Sequence, residues 1–110
     1  MIVKLKNSLP QYPDLSSFHW YVVIGIEADD LRILNDQGKP YLYPQSLFDL
    51  VDANEPTDWV TDFGDEGERY AYPAEINSPG FFEDFFDAQS DAVATFWRVI
   101  NQRLSVAALA

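Results

Sequence analysis

The chain opens with a two-residue alternation. Ile2, Val3 and Leu5 interleave with Lys4 and Lys6, the period of a short strand. Residues 7–18 contain Pro10, Pro13 and three serines and read as a loop. The run WYVVIGIEA, 20–28, is rich in β-branched and aromatic residues. Strict alternation puts Trp20, Val22, Ile24 and Ile26 on one face and Tyr21 and Val23 on the other. Both faces are apolar, so this strand is expected to be central. Asp29-Asp30 makes a turn, and Leu31, Ile33 and Leu34 return with Arg32 outside. Asn35-Asp36-Gln37-Gly38 is a turn sequence, since Asn, Asp and Gly tolerate positive φ. KPYLY, 39–43, is a third strand, and Pro40 assigns it to an edge. Short connections between three strands imply an antiparallel meander.

Residues 44–52, PQSLFDLVD, fit either a short helix capped near Ser46 or a strand. A turn around Pro56 follows. Trp59–Phe63 and Glu68–Tyr72 then read as a hairpin closed by Gly64-Asp65-Glu66-Gly67. Beyond Pro79 the period becomes helical. Ser78 precedes Pro79 as a capping residue, and Phe81, Phe82, Phe85 and Phe86 recur at helical spacing. A second helical stretch carries Val93, Phe96, Trp97, Ile100 and Leu104 on one stripe. Arg98 and Arg103 are expected near its C-terminal end, where cations complement the helix dipole. The reading is one domain over 1–110, mostly β through residue 76 and mostly α from 77. Its fold class is α+β: an antiparallel SH3-like barrel or strongly bent sheet of about five or six strands, with the C-terminal helix or helices packed on it.

Composition narrows the function classes. The chain has 110 residues, of which 47% are hydrophobic and 15% aromatic, so an acidic disordered tail is excluded. Absence of cysteine removes disulfides, thiolate nucleophiles and cysteine metal sites. No apolar run is long enough for a signal-peptide core or a membrane span, and the expected location is the cytoplasm.

The net charge of −11 is unevenly placed. Residues 49–91 hold thirteen acids and a single base, Arg69. Such a surface repels nucleic acid and anionic membranes and attracts a basic protein, or else serves only solubility.

Candidate chemistry is sparse. His19 is the only histidine, with Ser16 and Ser17 nearby, and reads as structural. One His without Cys makes a metal site unlike any common one. Glu83 and Asp84 diverge on a helix, and Asp84 with Asp87 reads as a solvated face. The acidic stretch Asp62, Asp65, Glu66, Glu68 lacks the spacing of a helix–loop–helix calcium site. No Gly-rich phosphate loop or GxSxG elbow is present, and no cofactor is expected.

Residues 47–76, LFDLVDANEPTDWVTDFGDEGERYAYPAEI, resemble the second half of an SH3-like barrel. An apolar strand and acidic turn lead into a Trp strand, then a Gly-containing hairpin and a strand ending in Tyr-Pro. The resemblance implies a peptide groove using Trp59, Tyr72 and Pro73. Val60 stands where SH3 domains carry a second Trp, which favours the topology over a proline-rich ligand. In size, charge and lack of catalytic residues the chain also resembles small acidic bacterial immunity proteins, which block basic toxins.

These readings converge on a non-enzymatic, acidic, protein-binding domain for a basic protein partner. Asp58, Asp62, Asp65, Glu66 and Glu68 would steer the encounter. Trp59 and Tyr70 would anchor it, with Tyr72 beside them. The alternatives are an SH3-like peptide-binding module using Tyr41, Tyr43, Trp59, Tyr72 and Pro73, and a homodimer built on the Phe-rich helix.

Overall fold

A computed structural model describes residues 1–109, with side chains described through 105. The chain is α+β, with strands first and helices last. Among the described residues there are seven strands, β1 (Ile2–Leu5), β2 (Trp20–Glu27), β3 (Asp30–Leu34), β4 (Pro40–Pro44), β5 (Phe48–Asp52), β6 (Trp59–Phe63) and β7 (Arg69–Pro73). The helices are α1 (Phe81–Phe86) and α2 (Ser90–Leu109). Residues gather into two compact units, Met1–Tyr72 and Pro73–Ala110. The strand count exceeds the five or six expected, because 44–52 resolves into both of its alternatives. A 3-10 turn over Gln45–Leu47 runs directly into β5.

The sheet is antiparallel and open. Its order is β4-β3-β2-β1-β5, with β7 also paired to β2 and β6 paired to β7. β2 is the hub, bonded to β1, β3 and β7. Strands β4, β5 and β6 each have one partner strand, so the ladder does not close into a barrel. Pro40 does lie on an edge strand.

One bulge decides which side chains of β2 form the core. Val23 pairs with Ile33 and Gly25 with Arg32, leaving Ile24 as an extra residue. The shift inverts the alternation, because the side-chain period is two. The core face of β2 is therefore Tyr21 and Val23 before the bulge and Ile26 after it. They pack with Val3, Leu5, Leu31, Ile33, Tyr43, Phe48 and Ala71. Trp20, expected on the same face as Ile26, is 66% exposed while Ile26 is buried.

On the opposite face Gly25, Glu27 and Arg32 come together with Tyr72 of β7. Ile26 pairs with Ala71 and Glu27 with Tyr70, so Tyr72 comes level with Gly25. The Tyr72 ring lies across Gly25 so closely that a Cβ there would sit 2.2 Å from a ring carbon. The missing side chain lets the ring cross β2 and reach Arg32 on β3. Arg32 Nε donates to the Tyr72 hydroxyl at 2.6 Å, Nη2 to Glu27 Oε2 at 2.6 Å and Nη1 to the Pro40 carbonyl at 2.7 Å. The hydroxyl in turn donates to Glu27 Oε2 at 2.6 Å. Arg32 was expected outside; it is buried, and each guanidinium nitrogen has an acceptor.

In the second unit the aromatic residues form their own cluster. Phe82 and Phe85 of α1 meet Phe96 of α2 at ring-centroid distances of 5.9 and 4.7 Å. Phe96, Val99 and Ile100 form the buried stripe of α2, while Leu104, expected on it, is exposed. Two terminal expectations also change. Gly80, at φ 77°, occupies the cap position of α1, and Ser78 contributes its carbonyl to the Phe81 N–H rather than a side-chain cap. α2 extends to Leu109 with no basic residue in its last turn, so Arg98 lies mid-helix, away from the C-terminal dipole.

Two substitutions in the β2–β3 hairpin should move stability in opposite directions, read as denaturation midpoints. Gly25→Ala forces the Tyr72 ring aside and should cost about 1–3 kcal/mol. Ala28 holds φ 54° in the turn, and Ala28→Gly should stabilise the fold by up to about 1 kcal/mol.

Candidate functional site

The acidic segment folds as the β6–β7 hairpin. The turn Gly64–Gly67 is closed by Gly64 N–H to the Glu68 carbonyl at 2.8 Å and Gly67 N–H to the Gly64 carbonyl at 3.0 Å. Gly67 has φ 80°, a conformation that favours glycine. Gly64 serves a different need: the Glu68 carboxylate folds over it, and a Cβ would collide with that carboxylate. At the base of the hairpin Arg69, the only base between residues 49 and 91, grips Glu55 in a two-pronged pair. Its Nη1 donates to Glu55 Oε2 at 2.8 Å, and Nη2 also reaches Thr61 Oγ1 at 3.3 Å. The Arg69 bonds hold the Glu55 carboxyl below its usual range despite opposing desolvation.

The predicted site residues divide in this frame. Asp58, Asp62, Asp65 and Glu66 are exposed along or beside the hairpin. Glu68 is half-buried, and its Oε2 accepts the Glu66 N–H at 2.9 Å, so it shapes the turn. Trp59 is half-buried against the hydrophobic core, and Tyr70 is half-buried. Tyr72 is only 5% exposed and committed to Arg32 and Glu27, so it presents no surface for a partner. Tyr43 and Pro73 are buried as well, which leaves the peptide-groove set with Tyr41 and Trp59 only.

Sequence reasoning missed Phe63, which is 70% exposed, and Val60, also exposed, both on β6 between the acids. The signal was present: Phe63 lies at the tip end of a predicted hairpin strand, where the core no longer reaches. A second exposed aromatic pair, Phe18 and Trp20, borders the start of β2. Trp20 lies level with Lys4, which is level with Asp49.

A separate polar cluster joins the 7–19 loop to the β3–β4 turn. Asp36 Oδ2 accepts from Ser16 Oγ at 2.7 Å, and Oδ1 accepts from the Tyr21 hydroxyl at 2.6 Å and faces His19 Nδ1 at 3.3 Å. Beside it Asp14 accepts from the Tyr43 hydroxyl and from Asn35 Nδ2, and the Asp36 N–H donates to the Asp14 carbonyl. Ser, His and Asp thus converge, but Ser16 and His19 both address the carboxylate. The serine-to-histidine hydrogen bond that activates a nucleophile is missing from the arrangement. Burial, then the bond to Asp36, pushes the Tyr21 phenol up to about 12. Desolvation opposes charge on Asp36, but the bonds from Ser16, Tyr21 and His19 hold its carboxyl below the usual value. Among the described residues no group of three His, Cys, Asp or Glu is placed to hold a metal ion, and no helix is long and apolar enough to cross a membrane.

These shifts set a pH profile for the thermal midpoint. The Asp36 contribution is complete above the unfolded value of 3.8 and disappears as pH falls through the lower folded value. Asp36→Asn should therefore lower the midpoint near neutrality, and the deficit should shrink in acid. The Tyr21 contribution is complete below 10 and is lost as pH climbs toward about 12, and Tyr21→Phe should flatten part of that alkaline decline.

A scan against protein-family models matched none, and neither a search of curated proteins nor one of solved structures returned a match.

Proposed function

We propose that the chain is a non-enzymatic binding domain whose β6–β7 hairpin docks on a basic protein surface; an immunity protein that neutralises a basic toxin is the concrete form of that reading. The observation that carries it is the pairing of exposed apolar and acidic groups on one short hairpin. Phe63 and Val60 stand in solvent among Asp58, Asp62, Asp65 and Glu66. Acids concentrated in this way raise the encounter rate with a cationic partner, and a large exposed aromatic ring supplies the desolvated anchor that charges alone do not. The anchors expected from sequence were Trp59 and Tyr70. Phe63 replaces them in this reading, because it gives far more of its ring to solvent.

Affinity capture from a native lysate, washed at low and then high salt and read by mass spectrometry, tests the reading. A basic protein retained at low salt and released at high salt is the expected result. No specific protein at low salt would remove it. Against the captured partner, the triple change Asp62→Asn, Asp65→Asn, Glu66→Gln should slow association by about tenfold or more at low salt and flatten the salt dependence. Phe63→Ala should instead speed dissociation, at a cost of about 1 kcal/mol or more.

A further inference from the structure

Three strands bound the sheet with a single partner each, and they are not alike. An exposed strand edge offers unpaired N–H and C=O groups to any extended chain, so proteins blunt edges with proline, charge or irregular pairing. β4 carries Pro40 and Pro44 at its two ends. β5 carries Asp49 and Asp52, and its register against β1 shifts between Ile2 and Val3. β6, WVTDF, has no proline and one charge, Asp62. Its other residues are the β-branched and aromatic types that pair well in sheets. Residues 60–63 are all exposed, so the strand is open on both faces.

We propose that the outer edge of β6 accepts an extended basic segment of the partner protein as an added strand. This inference rests on the docking reading above and specifies its geometry. Backbone groups of the incoming segment would extend the ladder beyond β6. Alternation then sorts its side chains: cations fall on the face of Val60 and Asp62, and apolar residues on the face of Thr61 and Phe63. Asp58, Asp65 and Glu66 at the two ends of β6 extend the attraction for cations. Charge argues against a second copy of this chain as the added strand. Two β6 hairpins side by side would bring together two segments that each hold five acids, Asp58, Asp62, Asp65, Glu66 and Glu68, against the single base Arg69.

The test uses the full chain and two synthetic peptides of equal charge. One alternates Lys with Val and Thr. The other has Pro in place of the central Val and Thr residues, so it keeps the cations and cannot complete a ladder. Binding is followed by calorimetry at low salt, and amide hydrogen exchange is followed residue by residue. The alternating peptide should bind about tenfold tighter or more, the effect of one or two ladder hydrogen bonds. It should also slow exchange of amides within residues 59–63. Equal affinity for the two peptides, or protection appearing on β5 or β4 instead, overturns strand addition while leaving acidic docking in place. If neither peptide binds at low salt, both readings fall.

Discussion

The Tyr72 ring lying across Gly25 is the contact on which the rest of the β unit depends. β2 is flanked by β3 and β7, and the ring spans from one neighbour to the other over the strand between them. The span is open only because residue 25 has no side chain. At the far side the ring meets Arg32, whose three nitrogens donate one bond each to Tyr72, Glu27 and the Pro40 carbonyl. A buried guanidinium is costly unless every donor is met, so this network tolerates little rearrangement. It ties β2, β3, β7 and the start of β4 into one piece, with the apolar core on the reverse face.

The same network fixes where the acidic hairpin begins. β7 is anchored at Ala71 and Tyr72, and β6 reaches the sheet only through β7. Burial therefore falls along the hairpin from its base to its tip. Trp59 packs against the core and Phe63, four positions later, is in solvent. An acidic, aromatic strand held at one side by a rigid neighbour and open at the other is suited to recognition. At the base of the hairpin Arg69 is held by Glu55. The loop before β2 is fixed by different means. Asp14 and Asp36 collect the hydroxyls of Tyr43, Tyr21 and Ser16, so polar bonds do there what apolar burial does elsewhere.

The sequence by itself determined the order of the elements and the type of each except over residues 44–52, where a 3-10 turn and a strand share a stretch that fitted either helix or strand. The alternation in 20–28, the Asn-Asp-Gln-Gly turn, the glycine-bounded hairpin and the change to helical period after Pro79 are local signals, and local geometry honours them. The edge position of β4 was legible too, since Pro40 lacks an N–H to give to a second neighbour. The acidic bias of the hairpin could be counted directly. Tertiary structure alone decided which face each residue occupies. A single bulge at Ile24 inverted the parity of β2, sending Trp20 to solvent and Tyr21 into the core. Gly25 inside the strand run is compatible with a bulge or with a close approach, and only the pairing with β3 placed the extra residue at Ile24. Arg32, read as a surface cation, became a buried hub because its partners Glu27, Pro40 and Tyr72 meet it only once four strands, β4, β3, β2 and β7, are side by side. The burial of Tyr72 was likewise settled by the approach of β7 to Gly25, whereas the exposure of Phe63 follows from its place at the tip end of the hairpin.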